Sequence, residues 1–309
     1  MCANRCGLFN IGVCRGFYLC GRHPLYAVDY DPVKDRLGSF FWASPLRTKV
    51  FYRTLDAVFL RSWHVRKALR RLVADATRRA AGRPVRVLDA GTGFGQYTYW
   101  LLRTFPNVEV VAVDVKRDYL DRAQAFVDTT PHAARVRWAE ADLTQPLPEA
   151  LGQGFDLCLS VDVMEHIEDD RAVFRHIERV LRPGGHLVVN TPSDLGGSGI
   201  TEAGQESFIG EHVRDGYNAA ELAEKLATAG LPVASSAYTY GRYGTVGWRI
   251  LVQGPIRALN AHRAAILGLP FYYAVAGPVG LALNALDVRT PNAGGTGLLV
   301  VARKPDEAA

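Results

Sequence analysis

The sequence predicts an α/β fold, with a mostly parallel β-sheet covered by helices on both faces. The main observation is that short apolar runs alternate with amphipathic helical stretches from residue 83 onwards. The length of 309 residues allows one α/β domain of about 200 residues with additions. A composition of 48% hydrophobic and 22% charged residues is typical of a globular protein and excludes general disorder.

Seven apolar runs predict the strands. They lie at residues 85–89, 108–114, 136–139, 155–160, 186–190, 233–240 and 297–302. Helical spacing of apolar residues predicts helices at residues 96–103, 118–127, 170–181 and 218–229. The chain is thus divided into an N-terminal extension (1–82), a core (83–241), an insert (242–296) and a final strand with a tail (297–309).

The N-terminal extension predicts one long basic helix over residues 44–82. Ser44 suits the N-cap and Pro45 the first helical position. An apolar stripe, interrupted by Ser62, is formed by Phe51, Leu55, Val58, Val65, Leu69 and Leu72. Residues 1–90 carry 14 arginines and 3 lysines against 6 aspartates, a net charge of +11, whereas the remainder carries −6. The helix either packs on the core with its basic side in solvent or lies on a membrane surface.

The cysteines cluster at the N-terminus and predict no metal site. Cys2, Cys6, Cys14 and Cys20 have spacings that match no zinc or iron–sulfur pattern, and the first 25 residues are expected to be a non-functional extension. No secretory signal pattern is present, so we expect a cytoplasmic protein. Cys158 lies within a predicted strand and is expected in the core.

The insert is unusually apolar. Its residues 264–286 form a stretch of 23 residues without a charge, which passes the length criterion for a membrane span. Prolines at 270 and 278 and several glycines interrupt that stretch. A single span cannot leave and return on the same side of one sheet. We therefore expect broken apolar helices that dip into one leaflet or roof an apolar pocket, with a buried helical cap as the alternative.

A glycine-rich turn is the strongest chemical signal. Residues 87–95 read V-L-D-A-G-T-G-F-G, so a strand ends near Asp89 and passes through Gly91, Gly93 and Gly95 into a helix. These glycines allow a tight turn and close approach of a ligand to the backbone. The second strand ends at Asp114, where a carboxylate can accept hydrogen bonds from both hydroxyls of a ribose. After the third strand, Asp142 can accept a hydrogen bond from an adenine amino group.

Two further segments complete a recognisable pattern: V-D-V-M-E-H-I at 161–167 and L-R-P-G-G at 181–185. Together these motifs resemble the class I S-adenosylmethionine-dependent methyltransferases of the small-molecule and lipid type, over residues 84–241 and the final strand. The resemblance implies a Rossmann-like seven-stranded sheet with the last strand inserted antiparallel, S-adenosylmethionine as cofactor and no metal.

The resemblance also implies roles for particular residues. Asp89, Gly91, Gly93 and Gly95 would hold the methionine part of the cofactor. Asp114, with Val115 beside it, would bind the ribose, while Asp142 and Leu143 would flank the adenine. Asp162 would face the methyl donor.

Two histidines are candidates for a general base. His166 lies in the 161–167 motif, and its alternative role is to organise that loop. His212 lies in E-H-V-R-D-G-Y at 211–217, which resembles a segment at the lip of the acceptor pocket in a subset of these enzymes. The alternative there is a loop salt bridge between Glu211 and Arg214.

The expected function is methyl transfer to an apolar small molecule, membrane-resident in one form of the hypothesis, such as an isoprenoid, quinone-like or glycolipid acceptor. Peripheral association with an anionic membrane at its inner face would follow. A soluble secondary metabolite is the alternative acceptor. RNA methylation or nucleic-acid binding is less favoured because no RNA-binding module is recognisable. A non-catalytic scaffold that retains the fold is a further alternative, and the oligomeric state stays open.

Overall fold

A seven-stranded sheet organises the part of the chain that the computed structural model describes, namely residue 42 and residues 44–196 and 213–306. The strands are β1 (Val85–Ala90), β2 (Val108–Asp114), β3 (Val136–Glu140), β4 (Phe155–Val161), β5 (Leu181–Pro192), β6 (Val233–Thr239) and β7 (Gly297–Arg303). They are arranged in the order β3-β2-β1-β4-β5-β7-β6. β7 runs antiparallel to both its neighbours, and the pairings among β1 to β5 are parallel. The predicted mostly parallel, seven-stranded sheet is confirmed.

Helices cover both faces of this sheet. They are α1 (Pro45–Val58), α2 (Leu60–Arg79), α3 (Gln96–Thr104), α4 (Arg117–Val127), α5 (Asp170–Val180), α6 (Ala219–Thr228), α7 (Arg242–Trp248), α8 (Gly254–Ala261) and α9 (Leu269–Arg289). Consecutive residues of β1 serve opposite faces: Val87 packs in the core with α2, α3 and α4, while Leu88 packs in the core with α5 and α6. Because both faces are buried, the strands read in the sequence as continuous apolar runs.

The N-terminal segment forms two helices, so the prediction of one long helix is wrong. Ser44 caps α1 as predicted, but Phe59 is extended and separates α1 from α2. The break changes which residues of α2 face the core. Ser62, which was expected to interrupt the buried stripe, is fully buried, and its hydroxyl accepts a hydrogen bond from the Gln96 amide at 3.1 Å.

Part of the positive charge of this segment is neutralised inside the protein. Buried Asp56 forms ion pairs with Arg66 and, at 3.0 Å, with Arg103. Burial lowers the pKa of Arg66 to about 10. Arg70 and Arg71 remain exposed. The alternative in which α2 packs on the core and keeps a basic side in solvent is therefore the one observed.

The insert leaves and re-enters the sheet at one place. β6 and β7 pair directly, with Thr239 opposite Gly297, which itself lies next to Pro192 at the carboxyl end of β5. Between them the chain forms α7, a π-helical segment (Arg249–Gln253), α8, a 3-10 segment (Arg263–Gly268) and α9. The predicted broken helices are present, but α9 continues through Pro278. Within the described residues, one helix (Ala264–Arg289) is long and apolar enough to cross a membrane, and 11% of its apolar stretch is buried.

A buried carboxylate fastens the insert to the N-terminal helices. Asp287 of α9 is fully buried and accepts hydrogen bonds from three donors: His64 Nε2 at 2.9 Å, the Gly244 N–H at 2.9 Å and Asn292 Nδ2 at 3.2 Å. Asn284, one turn earlier, donates from its amide to the carbonyl of Val58 at 3.3 Å. The C-terminal half of α9 is thereby held against α1, α2 and α7.

Replacing this carboxylate should loosen the insert. We expect Asp287→Ala to lower the free energy of unfolding by about 3 kcal/mol, because three buried donors lose their acceptor at roughly 1 kcal/mol or more each. Urea unfolding followed by circular dichroism measures this, and limited proteolysis should cut first within residues 242–296. The control is Asp128→Ala at an exposed position; equal losses in the two variants would contradict the role of Asp287.

Candidate active site at the carboxyl edge of the sheet

The glycine-rich turn lies at the carboxyl end of β1 and has a backbone that favours glycine. Gly91, Gly93 and Gly95 have φ values of 80°, 52° and 73°. A Cβ at Gly91 would lie 2.4 Å from the side chain of Val163, so this position has no room for one. At Gly93, by contrast, no heavy atom lies within 4 Å of the Cβ position. The turn therefore presents open space beside its backbone.

Asp89 supports the turn from below. Its carboxylate is buried, and Oδ2 accepts hydrogen bonds from the hydroxyls of Thr92 at 2.8 Å and Thr98 at 2.6 Å. Burial raises the pKa of Asp89 to about 6, although the two hydroxyl groups oppose this shift. The structure thus ties Asp89 to the start of α3, and its contact with a cofactor stays a prediction.

Asp114 joins the turn to the end of β2. Oδ2 accepts a hydrogen bond from the Gly93 N–H at 2.8 Å, and Oδ1 accepts one from the Lys116 N–H at 2.9 Å. Burial raises the pKa of Asp114, while these N–H groups favour the charged form. Val115 beside it is 54% exposed.

Asp142 and Leu143 differ in their surroundings. Asp142 is exposed, and Oδ1 accepts hydrogen bonds from the backbone and the hydroxyl of Thr144, both at 2.8 Å. Leu143 is buried in the core on the α5 and α6 face. Both follow β3, and β2 separates that strand from β1.

Asp162, directly after β4, is held by two other elements. It has a left-handed backbone, with φ of 54°, and its N–H donates to the carbonyl of Asn190 at 2.8 Å. The Asn190 amide donates to Oδ1 at 3.0 Å, and the Arg61 guanidinium forms an ion pair with Oδ2 at 2.8 Å. Sequence analysis missed Arg61, since nothing distinguishes it from the other arginines of its helix.

Two tyrosines, the buried Tyr97 and the half-buried Tyr240, accompany this ion pair. The hydroxyl of Tyr240 accepts a hydrogen bond from the Arg61 N–H at 3.2 Å, and that of Tyr97 lies 3.4 Å from the hydroxyl of Ser62. Burial raises the pKa of Tyr97 to about 12 and also raises that of Tyr240, so both phenols are neutral at physiological pH. Tyr240 precedes the insert, which therefore begins at the site.

Glu165 is a second residue that sequence analysis overlooked, although it lies in the quoted 161–167 motif. Its side chain is buried, and Oε2 accepts a hydrogen bond from the Thr191 hydroxyl at 3.2 Å. Burial and the negative charge of Asp162 raise the pKa of Glu165 to about 8. The carboxyl group is therefore mostly protonated at pH 7.

His166 is half-buried and ends the 3-10 turn Met164–His166. His212 lies outside the described residues, as do Glu211 and the four N-terminal cysteines. The described segment that starts at Val213 packs on the same turn, because the Val213 N–H donates to the carbonyl of Glu165 at 3.0 Å.

Arg214 reinforces this contact. Its guanidinium donates to the carbonyl of Ile167 at 2.7 Å and forms an ion pair with Asp170, which also accepts the hydroxyl of Tyr217 at 2.6 Å. Asp170 is an ion-pair partner of Arg214 among the described residues, and the expected salt bridge with Glu211 stays a prediction because Glu211 lies outside them. Within the described ranges, no group of three His, Cys, Asp or Glu residues is arranged to hold a metal ion.

The buried Glu165 predicts a specific pH dependence of stability. Between its usual value of 4.5 and about 8, the unfolded chain has released this proton while the folded chain keeps it. Stability therefore falls as pH rises through this window. Glu165→Gln removes this pH dependence. The unfolding free energy of the variant minus that of the wild type should therefore rise by about 1.4 kcal/mol for each pH unit between pH 5.5 and 7.5. Urea unfolding at several pH values measures this, with exposed Glu109→Gln as control; parallel curves for Glu165→Gln and wild type would contradict the assignment.

Comparison with known proteins identifies relatives of the central part of the chain. Residues 87–185 match the family model described as "Methyltransferase domain". The malonyl-[acyl-carrier protein] O-methyltransferase of Hahella chejuensis is 29% identical over 181 residues, which are 59% of this chain and 62% of that protein. An uncharacterized methyltransferase of Mycobacterium tuberculosis is 39% identical over 106 residues, which are 34% of this chain and 49% of that protein. The chain thus spans about half to three fifths of the length of these curated relatives.

A solved structure shows the same fold. Phosphoethanolamine N-methyltransferase 2 of Haemonchus contortus, in complex with S-adenosyl-L-methionine, superposes with a TM-score of 0.50 at 20% identity, over 76% of this chain and 52% of that chain. The family match covers the glycine-rich turn, the ends of β2, β3 and β4, and the start of β5. The chain therefore contains a class I S-adenosylmethionine-dependent methyltransferase domain, for which S-adenosylmethionine is the cofactor.

Proposed function

We propose that this protein transfers the methyl group of S-adenosylmethionine to an apolar, membrane-resident small molecule, of the isoprenoid, quinone-like or glycolipid kind. A location in the cytoplasm, peripheral to the inner face of a membrane, belongs to the same proposal. The observation that carries it is the position of the apolar insert, which begins next to Tyr240 at the edge that bears the glycine-rich turn and Asp162. An acceptor bound at this edge would contact the apolar surface of the insert.

The residues at this edge fit the cofactor. The space beside Gly93 is open, and each carboxylate oxygen of Asp114 accepts one backbone N–H and keeps a lone pair for a ribose hydroxyl. Next to Asp162, the side-chain oxygen of Asn190 is buried without a hydrogen-bond partner among the described residues. The turn would hold the methionine part, Asp114 the ribose, and Asp142 with Leu143 the adenine.

When bound, the cofactor supplies an electrophilic methyl group on a positively charged sulfur. The residues of the chain must then align the acceptor with that methyl group and exclude water. Asp162 is suited to a fixed orientation because β5 holds one carboxylate oxygen and α2 the other. The neutral phenols of Tyr97 and Tyr240 add polar groups without adding charge.

An acceptor hydroxyl requires a group that takes its proton. His166 and His212 are the proposed candidates, because an imidazole accepts a proton near neutral pH. Glu165, one residue before His166, already holds a proton at pH 7 and so would not compete for that role. Its neutral form limits the negative charge beside Asp162.

A soluble acceptor is the second candidate. It is supported by the relatives, since the similar protein of Hahella chejuensis is named for O-methylation of a malonyl group on acyl-carrier protein. In that case the insert would only cap the pocket. RNA methylation and a non-catalytic scaffold gain no support from the site or from the relatives.

The test is methyl transfer from radiolabelled S-adenosylmethionine into an extract of the native cells, followed by partition between organic solvent and water. We expect label in the organic phase, in amounts that fall with Asp114→Ala. Label confined to aqueous products would overturn the apolar acceptor in favour of the soluble one. Absence of transfer by a protein that binds the cofactor and is supplied with both membrane and soluble fractions would count against catalysis.

Cofactor affinity tests the assignment of Asp114. Asp114→Ala removes the acceptor for ribose and for two N–H groups of the loop, each hydrogen bond to a charged group contributing about 1.5–3 kcal/mol. We expect S-adenosylhomocysteine to bind roughly 10- to 100-fold more weakly, as measured by calorimetry. Asp121→Ala, which removes an exposed carboxylate of α4, is the matched control and should bind normally. Unchanged affinity in Asp114→Ala would contradict the assignment.

A further inference from the structure

The outer half of α9 and the segment before it carry an exposed apolar surface, here called the apolar tip and formed by Ile266, Leu267, Phe271, Val275 and Val279. Leu267, Phe271 and Val275 are spaced four residues apart, so they lie along one face of the helical segment, and they are 76%, 80% and 76% exposed. Apolar residues clustered in this way on a protein surface usually mark a site of interaction with another protein or a membrane.

The apolar tip is held in place although it is exposed. The hydroxyls of Tyr272 and Tyr273 donate to the carbonyls of Ile250 and Leu251 at 2.8 and 2.7 Å. Deeper in the insert, the side chain of Leu251 packs against Gly280, where a Cβ would lie 2.4 Å from it. The outer half of α9 is therefore supported by the π-helical segment rather than folded back onto the core.

The charged residues of the insert before Asp287 are all arginines. Residues 242–286 contain four arginines, at positions 242, 249, 257 and 263, and no aspartate or glutamate. The side chains of Arg242, Arg249 and Arg257 are exposed. The first acidic residue after this stretch is Asp287, which is buried and paired with His64. Exposed apolar side chains flanked by arginines match the surface of an anionic bilayer. A second copy of the chain would instead bring like charges together.

The ends of the insert determine how it can meet a bilayer. The C-terminal end of α9 lies against the body of the protein, where hydrogen bonds hold Asp287. The segment that leads to α8 starts after β6, at the same edge of the sheet. A helix that crossed the membrane would need its two ends on opposite sides. The insert can therefore lie in the interface but cannot span the bilayer as a single helix.

We infer that the apolar tip inserts into the interfacial region of an anionic lipid bilayer, with Arg249 and Arg257 near the lipid phosphates. This docking turns the carboxyl edge of the sheet, with Tyr240 and the ion pair of Arg61 and Asp162, towards the membrane. The contact is placed on the insert and not on α2, because Arg61 and Arg66 of α2 are engaged within the protein. Helix α2 also exposes no large apolar side chain beside its exposed Arg70 and Arg71. The role of this docking in methyl transfer rests on the proposed function, whereas the test of the docking itself does not.

The test is flotation of the full chain with vesicles, without cofactor or acceptor. Vesicles of phosphatidylcholine with 30% phosphatidylglycerol are compared with pure phosphatidylcholine, at about 0.05 and 0.5 M salt. We expect binding to the anionic vesicles that weakens at high salt. The double variant Leu267→Asp with Phe271→Asp should lower the partition coefficient at least about tenfold. Leu46→Asp, which alters a 71% exposed leucine on α1, is the matched control and should bind as the wild type does.

Three results would overturn this inference: no binding of the wild type to anionic vesicles, equal loss in the Leu46→Asp control, or unchanged binding in the double variant. Sedimentation of the protein without vesicles tests the alternative that a second copy of the chain covers the apolar tip. A wild-type dimer that dissociates in the double variant would assign the apolar tip to that second copy. The outcome is independent of catalysis. A chain that binds vesicles but methylates aqueous products would retain the docking and lose the proposed acceptor.

Discussion

Both ends of the insert are fixed by the pairing of β6 with β7. Because these strands are antiparallel neighbours, Thr239 lies opposite Gly297, and the 57 residues between them must leave and return at one point of the sheet edge. If β6 and β7 were parallel neighbours, the connection between them would have to cross over to the opposite end of the strands. That edge also carries the glycine-rich turn and Asp162, at the carboxyl ends of β1 and β4. The inserted antiparallel strand thus places an apolar helical layer beside the proposed cofactor site.

Helix α2 connects this apolar helical layer to the candidate active site. Within one turn of α2, Arg61 pairs with Asp162, Ser62 lies beside Tyr97 and His64 binds Asp287 of α9. Burying such groups costs desolvation energy, which is offset only when each finds a partner in the right geometry. These pairings therefore specify one position of α2 and α9 relative to the sheet. A displacement of α9 would therefore be transmitted to Asp162 through one helix, α2.

The sequence predicts the sheet well because its central strands are buried on both faces and leave continuous apolar runs. The glycine-rich turn and Asp114 are equally visible, because their chemistry depends on local spacing. Arg61, His64 and Asp287 could not be found in this way. Their partners lie about 100 to 220 residues away, and in the sequence they look like ordinary surface charges. The break at Phe59 carries no proline or glycine signal, so the single long helix was the natural prediction.

The measurement that tests the central claim most directly is a crystal structure of the protein with S-adenosylhomocysteine bound. The central claim is that the cofactor site and the apolar insert share one edge of the sheet. We expect the nucleoside at the ends of β2 and β3, beside Asp114 and Leu143, and the sulfur on the side of Asp162 and Tyr240, with α9 still fastened through Asp287. A ligand bound away from the glycine-rich turn, or an insert docked on another face of the sheet, would contradict it.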